Sequence, residues 1–179
     1  TNHLGHFALT GLLLPALRHR EAGRPGPARV LTVSSGGMYS QRFDLDRLDS
    51  PAGDFDGVAA YARAKRAQVV LTHGWAARVD PAEVVFHAMH PGWADTPGVR
   101  SSLPAFHRIT RLILRSPDQG VDTLVWLAGS PEGAATTGRF WLDRRTRSEY
   151  KLPWTRSADP AADQAALWDW CAARSGWSL

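Results

Sequence analysis

The chain has 179 residues, of which 44% are hydrophobic, and a formal net charge of +4. This length suffices for one packed domain and is short for two, so we expect a single domain over residues 1–179. The longest apolar runs stop well before the roughly 18 residues of a membrane span, and no membrane span is expected. The arginines are spread along the chain without interleaved aromatic residues, which argues against nucleic-acid binding.

The cysteine content and the first residues bear on the compartment. Cys171 is the only cysteine, so the chain can form no internal disulfide and requires no oxidising environment. Residues 1–7 have neither an initiator Met nor the basic and then apolar pattern of a secretory signal. We therefore expect a cytoplasmic protein and interpret the sequence as the middle of a longer one.

Apolar periodicity predicts the elements of the first half of the chain. A helix is predicted before the Gly- and Pro-rich stretch 21–27, and Arg29–Ser35 is typical of a short strand buried on both faces. Residues 36–56 are predicted to be mainly loop. Asp56 is a suitable N-cap for a helix over Gly57–Val79. The first helix is predicted from the helical spacing of Leu4, Phe7, Ala8, Leu12, Leu13 and Leu17.

The second half continues this alternation. Val84–Met89 is predicted to be a second buried strand and Gly138–Asp143 a last one. Between them, one helix is predicted to begin at Pro104 and another at the capping box Ser116–Gln119. Alternating helices and strands predict an α/β fold with an open parallel sheet. The tail, residues 151–179, is predicted to hold a docking helix with an apolar stripe of Leu167, Trp170 and Cys171.

Tyr61 and Lys65 stand four residues apart in the second predicted helix. At that spacing their Cβ atoms lie roughly 5–6 Å apart, and a nearby ammonium lowers the pKa of a phenol. Lys65 is one of two lysines in a chain with nineteen arginines. The pair is a candidate proton-transfer centre, although taken alone it is equally compatible with a chance meeting on a solvated helix face.

Two turns follow the predicted strands at the point where each strand ends. In open parallel sheets, ligands bind outside the carboxyl ends of the strands. Ser34-Ser35-Gly36-Gly37 follows one strand and His90–Pro97 follows the next. We expect both turns to face the same crevice, with the Tyr61 helix between them.

Four segments, in this order, resemble the short-chain dehydrogenase/reductase family. They are Asn2–Phe7, Val33-Ser34-Ser35, Tyr61-x-x-x-Lys65 and Pro91-Gly92-x-x-x-Thr96. The turns are most similar to those of the retinol-dehydrogenase-like branch, and the resemblance covers about residues 1–150. It implies the C-terminal two-thirds of a Rossmann-type fold, an α/β doubly wound parallel sheet.

The resemblance also implies roles for these side chains. Tyr61 would be the general acid/base, while NAD or NADP exchanges a hydride with an alcohol or carbonyl compound. Lys65 would hold the nicotinamide ribose and lower the pKa of the phenol. Ser35, preferred to Ser34, would bond the reacting oxygen, and Asn2 would hold a water linking Lys65 to solvent. The predicted cofactor-binding residues are Tyr61, Lys65, Pro91, Gly92, Trp93 and Thr96.

Each of these residues also has an ordinary structural interpretation when taken alone. Asn is a common N-cap residue, so Asn2 could simply begin a helix. Ser35 could be a turn residue at a strand end, and Pro91-Gly92 could serve only to turn the chain. Thr96 could be a plain loop residue. It is the joint order of the segments that favours the enzyme.

The implied substrate is a small, lipophilic alcohol or carbonyl compound, and the implied partner is a second copy of the chain in a homodimer or homotetramer. The segment 107–115 would cover the substrate, and its basic face leaves an acidic substrate or a membrane surface as weaker alternatives. No metal is expected, because the pairs His3/His6 and His87/His90 lack the carboxylate or thiolate partners of a zinc motif.

The 179 residues contain no Gly-rich G-x-x-x-G-x-G or G-x-G-x-x-G run, although a dinucleotide pyrophosphate needs such a turn at a helix N-terminus. We expect roughly 90 preceding residues, about three βα units, and an exposed sheet edge where they belong. We also expect these 179 residues alone to bind NAD(P)H poorly and to turn over no substrate. A rival interpretation is a non-catalytic module that dimerises through the Asn2 and Tyr61 helices. Another is an epimerase or dehydratase with the same Tyr/Lys pair.

Overall fold

The computed structural model of the chain describes residues 2–19, 26–49, 55–95, 108 and 114–179. Its strands are Ala28–Val33 (β1), Val84–Met89 (β2), Arg139–Leu142 (β3) and Arg145–Thr146 (β4). They form one sheet in that order, in which β1, β2 and β3 are parallel and β4 is antiparallel to β3. The predicted α/β fold with a mostly parallel sheet is confirmed, whereas β4 was not predicted.

Five α-helices surround the described part of the sheet. They are Leu4–Arg18 (α1), Gly57–Ala76 (α2), Pro117–Gly129 (α3), Glu132–Ala135 (α4) and Pro160–Ser175 (α5). The described part of residues 36–56, which were predicted to be mainly loop, also contains two short 3-10 helices, Gly36–Ser40 and Leu45–Arg47. A further 3-10 helix spans Pro153–Thr155. The helix predicted to begin at Pro104 lies almost wholly outside the described residues.

Local capping signals in the sequence are confirmed. The Asp56 carboxylate accepts hydrogen bonds from the backbone N–H groups at the start of α2. Ser116 and Gln119 form the reciprocal capping box of α3. Asp159, where no cap was predicted, caps α5 in the same way as Asp56, and Gly176 ends that helix with a φ of 68°. These contacts depend only on residues within one helical turn, which is why spacing alone predicts them.

Both faces of β2 are covered by helices. Val84 and Phe86 pack in one hydrophobic cluster with Leu71 of α2, while Met89 packs with Leu127 of α3 in another. Alternate residues of a strand point to opposite faces, so a strand covered on both sides is apolar throughout. All six residues of β2 are buried. Helices on both faces define the predicted doubly wound arrangement.

The prediction that the first strand is buried on both faces is wrong. Five of the six residues of β1 are half-buried, and Val33 is exposed. In the described part of the sheet β1 pairs only with β2, so it lies at an edge. Its outer backbone groups face away from any described strand.

The C-terminal segment closes the apolar side of α1. Leu167 and Cys171 of the predicted stripe on α5 are fully buried, whereas its third member, Trp170, is half-buried. Trp168, which the predicted stripe omitted, is buried. The Trp177 ring packs so closely on Gly11 that a Cβ there would lie 2.4 Å from it. Leu12 and Leu13, which belong to the apolar spacing that predicted α1, are exposed. No helix in the described ranges is both long and apolar enough to cross a membrane.

Candidate active site

The ends of β1 and β2 lie side by side, so the two predicted turns begin next to each other. The backbone N–H of Ser34 donates to the carbonyl of Met89 over 2.7 Å, which continues the parallel pairing by one residue. A Cβ at Gly36 would lie 3.7 Å from the His90 ring and 3.9 Å from the Trp93 ring. The turn after β1 therefore packs on the turn after β2, at the sheet edge where ligands bind in this architecture.

Helix α2 places Tyr61 and Lys65 at this edge. The Lys65 ammonium nitrogen lies 5.6 Å from the centre of the Tyr61 ring. The ammonium also donates to the carbonyl of Val33, the last residue of β1, over 2.8 Å. The Tyr61 side chain is open to solvent at 46% exposure, which leaves its phenol accessible to a ligand. Burial lowers the pKa of Lys65, since desolvation penalises a charged group.

The two serines at the end of β1 have different environments. Ser34 is buried, and its hydroxyl donates to the backbone carbonyl of Lys65 over 2.8 Å. The Ser35 hydroxyl is half-buried and accepts a hydrogen bond of 3.2 Å from the Gly37 N–H. Ser35 thus caps the following 3-10 helix, but its hydroxyl can still donate to a ligand. The Ser34 hydroxyl already donates its hydrogen bond to the backbone carbonyl of Lys65.

Asn2 is not the N-cap of α1. That position belongs to His3, which makes no side-chain capping bond. The backbone carbonyl of Asn2 instead accepts a hydrogen bond from the side-chain amide of Gln68, whose oxygen lies 3.1 Å from the Lys65 nitrogen. Lys65 and Asn2 are therefore connected through Gln68, a residue that sequence reasoning missed. Its position three residues after Lys65 on a helix was the available signal.

The turn after β2 depends on glycine at position 92. Gly92 has a φ of +76°, a region that residues with a Cβ rarely adopt. A Cβ on Gly92 would also lie 2.9 Å from Nε of Arg115, so this guanidinium is packed against the bare backbone. Trp93 follows it with an exposed ring. Pro91 is half-buried beside α3, and Thr96 lies outside the described residues.

The buried His90 side chain stabilises the turn at Gly92. It is 5% exposed, its ring stacks on Phe140, and its Nδ1 accepts a hydrogen bond of 3.1 Å from the Gly92 N–H. Burial, followed by the charges of Lys151 and Arg115, lowers the pKa of His90 to about 4. The ring is therefore neutral near pH 7, which leaves Nδ1 free to accept and places the proton on Nε2.

Arg66 anchors the loops around the site, and the sequence analysis did not single it out. Its guanidinium is 1% exposed and donates to the carbonyls of Met38, Gln41 and Glu149 over 3.0–3.1 Å. It also lies 4.9 Å from the centre of the Tyr150 ring. A buried cation is tolerated only when its donors are satisfied, and these contacts fix the segment that follows Ser35.

Ion pairs connect the turn between β3 and β4 to neighbouring segments. Arg115 pairs with Asp143, and Arg144 pairs with Asp122 of α3. Asp143 and Arg144 form the tight turn between β3 and β4, and both have a φ of 55°. The Arg115 guanidinium holds the pKa of Asp143 below its usual range. Arg115 therefore links the Gly92 turn to the β3–β4 turn.

Comparisons with known proteins identify the family, although no model of a protein family matches the chain. Dehydrogenase/reductase SDR family member 12 from Bos taurus is 45% identical over 168 residues, which cover 93% of this chain and 50% of that protein. Retinol dehydrogenase 14 from Homo sapiens is 30% identical over 179 residues, covering 94% and 48%. The chain thus spans about half the length of the curated relatives that it matches.

A solved structure has a similar fold. The crystal structure of an uncharacterized protein from Mycobacterium paratuberculosis superposes with a TM-score of 0.67 and 26% sequence identity, covering 98% of this chain and 57% of that one. The similarity to SDR family member 12 and to a retinol dehydrogenase confirms the branch that the turns suggested. The chain belongs to the short-chain dehydrogenase/reductase family.

Proposed function

We propose that the protein is an NAD(P)-dependent oxidoreductase that interconverts an alcohol and a carbonyl compound, with Tyr61 as general acid/base. One observation carries the proposal: α2 holds the Lys65 ammonium 5.6 Å from the centre of an accessible Tyr61 ring at the carboxyl ends of the parallel strands. The family membership supports oxidoreductase chemistry, because its relatives are named as dehydrogenases and reductases.

The residues present suit the nicotinamide half of the cofactor. An ammonium has three N–H donors, and two from Lys65 are used on Val33 and Gln68, which leaves one for a ribose hydroxyl. The backbone of the turn at Gly92 would meet the nicotinamide carboxamide. Pro91, Trp93 and Thr96 complete the proposed nicotinamide contact. When bound, NADH or NADPH supplies the hydride in the reducing direction.

The chain's own groups handle the proton. In reduction, the Tyr61 hydroxyl gives its proton to the carbonyl oxygen; in oxidation, the tyrosinate takes one from the alcohol. The positive charge of Lys65 stabilises the tyrosinate. Ser35 donates to the reacting oxygen. This chemistry needs Tyr61, Lys65 and Ser35, and the presence of all three disfavours a non-catalytic module. Ser35, together with the similarity to dehydrogenases, also disfavours an epimerase or dehydratase.

The proposed substrates are lipophilic aldehydes, ketones and the matching alcohols, in line with the name of the retinol dehydrogenase relative. The test is an assay of the purified full-length protein against such compounds with NADH and with NADPH, followed by nicotinamide absorbance. Turnover of at least one carbonyl compound is expected. A protein that binds cofactor and oxidises or reduces none of them would contradict the proposal.

Cofactor affinity is a separate part of the proposal. The pyrophosphate and adenosine contacts that a Gly-rich turn provides are not encoded in these 179 residues. We therefore propose that these residues alone bind NAD(P)H weakly. Calorimetry with micromolar cofactor should show no clear signal, and a saturable one would overturn this point.

The proposed partner is a second copy of the chain, in a homodimer or homotetramer, and the proposed compartment is the cytoplasm. Helix α1 exposes Leu9 at 59%, Leu12 at 69% and Leu13 at 48%, and exposed apolar side chains of this kind commonly mark an interface. Sedimentation analysis of the protein and of Leu12→Lys tests the assembly. A monomer at all concentrations would contradict it.

A further inference from the structure

Gln68 is a fully buried polar side chain that spans two parts of the site. It is 2% exposed. Its Oε1 lies 3.1 Å from the Lys65 nitrogen, and its Nε2 donates to the backbone carbonyl of Asn2. Its Nε2 also lies 3.3 Å from Nδ1 of His6. One amide group therefore contacts the ammonium of α2, the start of α1 and an imidazole.

The chemistry of these neighbours settles which way the amide faces. An ammonium can only donate and a backbone carbonyl can only accept, so the amide oxygen must face Lys65 and the amide nitrogen must face Asn2. The second N–H of Gln68 then donates to Nδ1 of His6, which requires His6 to be neutral on that nitrogen. Burial and the charge of Lys65 both lower the pKa of His6, which agrees with this arrangement.

We propose that Gln68 is a positioning residue for proton transfer, because its amide ties the Lys65 ammonium to the Asn2 carbonyl at the start of α1. The inference rests on the proposed function. With Val33 and Gln68 as its two protein acceptors, Lys65 cannot turn away from Tyr61 without losing hydrogen bonds. Gln68 touches no reacting atom; it acts through Lys65.

The surroundings of Gln68 decide which substitutions are informative. The side chain borders a cavity of about 20 Å³, which it shares with His6 and Thr72. A small replacement would enlarge that cavity and destabilise the core for reasons of packing alone. Gln68→Met keeps the volume and removes both hydrogen-bonding groups. Gln68→Glu also keeps the shape, retains the acceptor for Lys65 and removes the donor to Asn2.

The pKa of Lys65 reports on the contact without requiring any enzymatic activity. The chain has two lysines, Lys65 and Lys151, so the ε-carbon signals of ¹³C-labelled protein can be assigned with Lys151→Arg and followed by NMR against pH. Gln68→Met should lower the pKa of Lys65 by about one unit, because the ammonium loses an acceptor, and Gln68→Glu should raise it. Opposite shifts from two variants of equal size are not expected from a change in packing.

Gln164→Met on α5 is the matched control and should leave the Lys65 pKa unchanged. With an active substrate, Gln68→Met should reduce kcat at neutral pH by at least about tenfold, with a smaller effect from Gln164→Met. An unchanged Lys65 pKa in both Gln68 variants, or in Gln68→Glu alone if Gln68→Met does not fold, would overturn the inference. Absence of turnover in the wild type would instead count against the proposed function, since the NMR result stands without it.

Discussion

The Ser34 hydroxyl donates a hydrogen bond of 2.8 Å to the backbone carbonyl of Lys65. This bond ties the end of β1 to the middle of α2, and it assigns different tasks to two neighbouring serines. Ser34→Ala should lower the free energy of unfolding by about 1 kcal/mol, with a modest effect on kcat. Urea unfolding of the purified variant measures the first quantity and steady-state kinetics the second.

Ser35→Ala should have the opposite effect, with a large loss of kcat and little change in the free energy of unfolding. Loss of a donor to the reacting oxygen is expected to reduce kcat by roughly 10²-fold, while stability changes little because the Ser35 hydroxyl makes one half-exposed capping contact. The paired kinetics and unfolding curves of the two serine variants decide the assignment. A larger kcat loss in Ser34→Ala than in Ser35→Ala would reverse it.

Tyr61→Phe should abolish turnover and spare cofactor affinity. The change removes only the phenol oxygen, and general acid/base catalysis is commonly worth about 10²–10⁴-fold. Lys65→Met should reduce both kcat and cofactor affinity, because Lys65 also binds the proposed ribose. Steady-state kinetics and cofactor titration by fluorescence separate the two effects. Retained turnover in Tyr61→Phe would rule out the mechanism.

Arg66→Met should be among the more destabilising substitutions in the chain. The methionine keeps much of the apolar stem but removes the guanidinium donors to three carbonyl groups, of which the Met38 carbonyl keeps a backbone donor. We expect a loss of about 3 kcal/mol or more in the free energy of unfolding. Arg63→Met on the same helix is the control and should change it by less than about 0.5 kcal/mol. Equal losses in the two variants would contradict the anchoring role.

Gly11→Ala should destabilise the protein even though alanine favours helices. In an open helical position the change stabilises by up to about 1 kcal/mol, and Gly5→Ala provides that case, because nothing lies within 4 Å of a Cβ there. At Gly11 the added methyl would meet the Trp177 ring at 2.4 Å and displace it. Thermal unfolding should give a lower Tm for Gly11→Ala and an equal or higher one for Gly5→Ala.

Stability should rise with pH between about 4 and 6.5 because of His90. The pKa of its imidazole is lowered to about 4 in the folded chain, mainly by burial, whereas an unfolded histidine titrates near 6.5. In that interval the unfolded state binds more protons, so the stabilising contribution is complete above pH 6.5 and lost as pH falls through 4.

His90→Asn tests this prediction, because an amide oxygen can accept from the Gly92 N–H and does not titrate in that range. Urea midpoints measured from pH 4 to pH 7 should vary less in the variant than in the wild type. Parallel curves for the two proteins would show that His90 does not contribute to the pH dependence.

Much of the fold and part of the site followed from local sequence. The caps at Asp56 and Ser116 involve residues within one helical turn, and the Tyr61–Lys65 proximity follows from i, i+4 spacing on one helix. The mostly apolar run of β2 marked a strand covered on both faces. These features depend on neighbours in the chain, so composition and periodicity are enough to predict them.

Contacts between distant segments depended on the tertiary structure. Gln68 joins Lys65 to Asn2 across 66 residues, and Arg66 reaches Glu149 across 83. The partial exposure of β1 reflects its place at the sheet edge, which its own apolar sequence does not encode. The sequence alone identified candidate residues for the chemistry, through the i, i+4 spacing of Tyr61 and Lys65 and through the resemblance of four ordered segments to one enzyme family. Only packing decided which side chains hold them in place, because the helix and strand orientations that bring remote residues together are long-range properties.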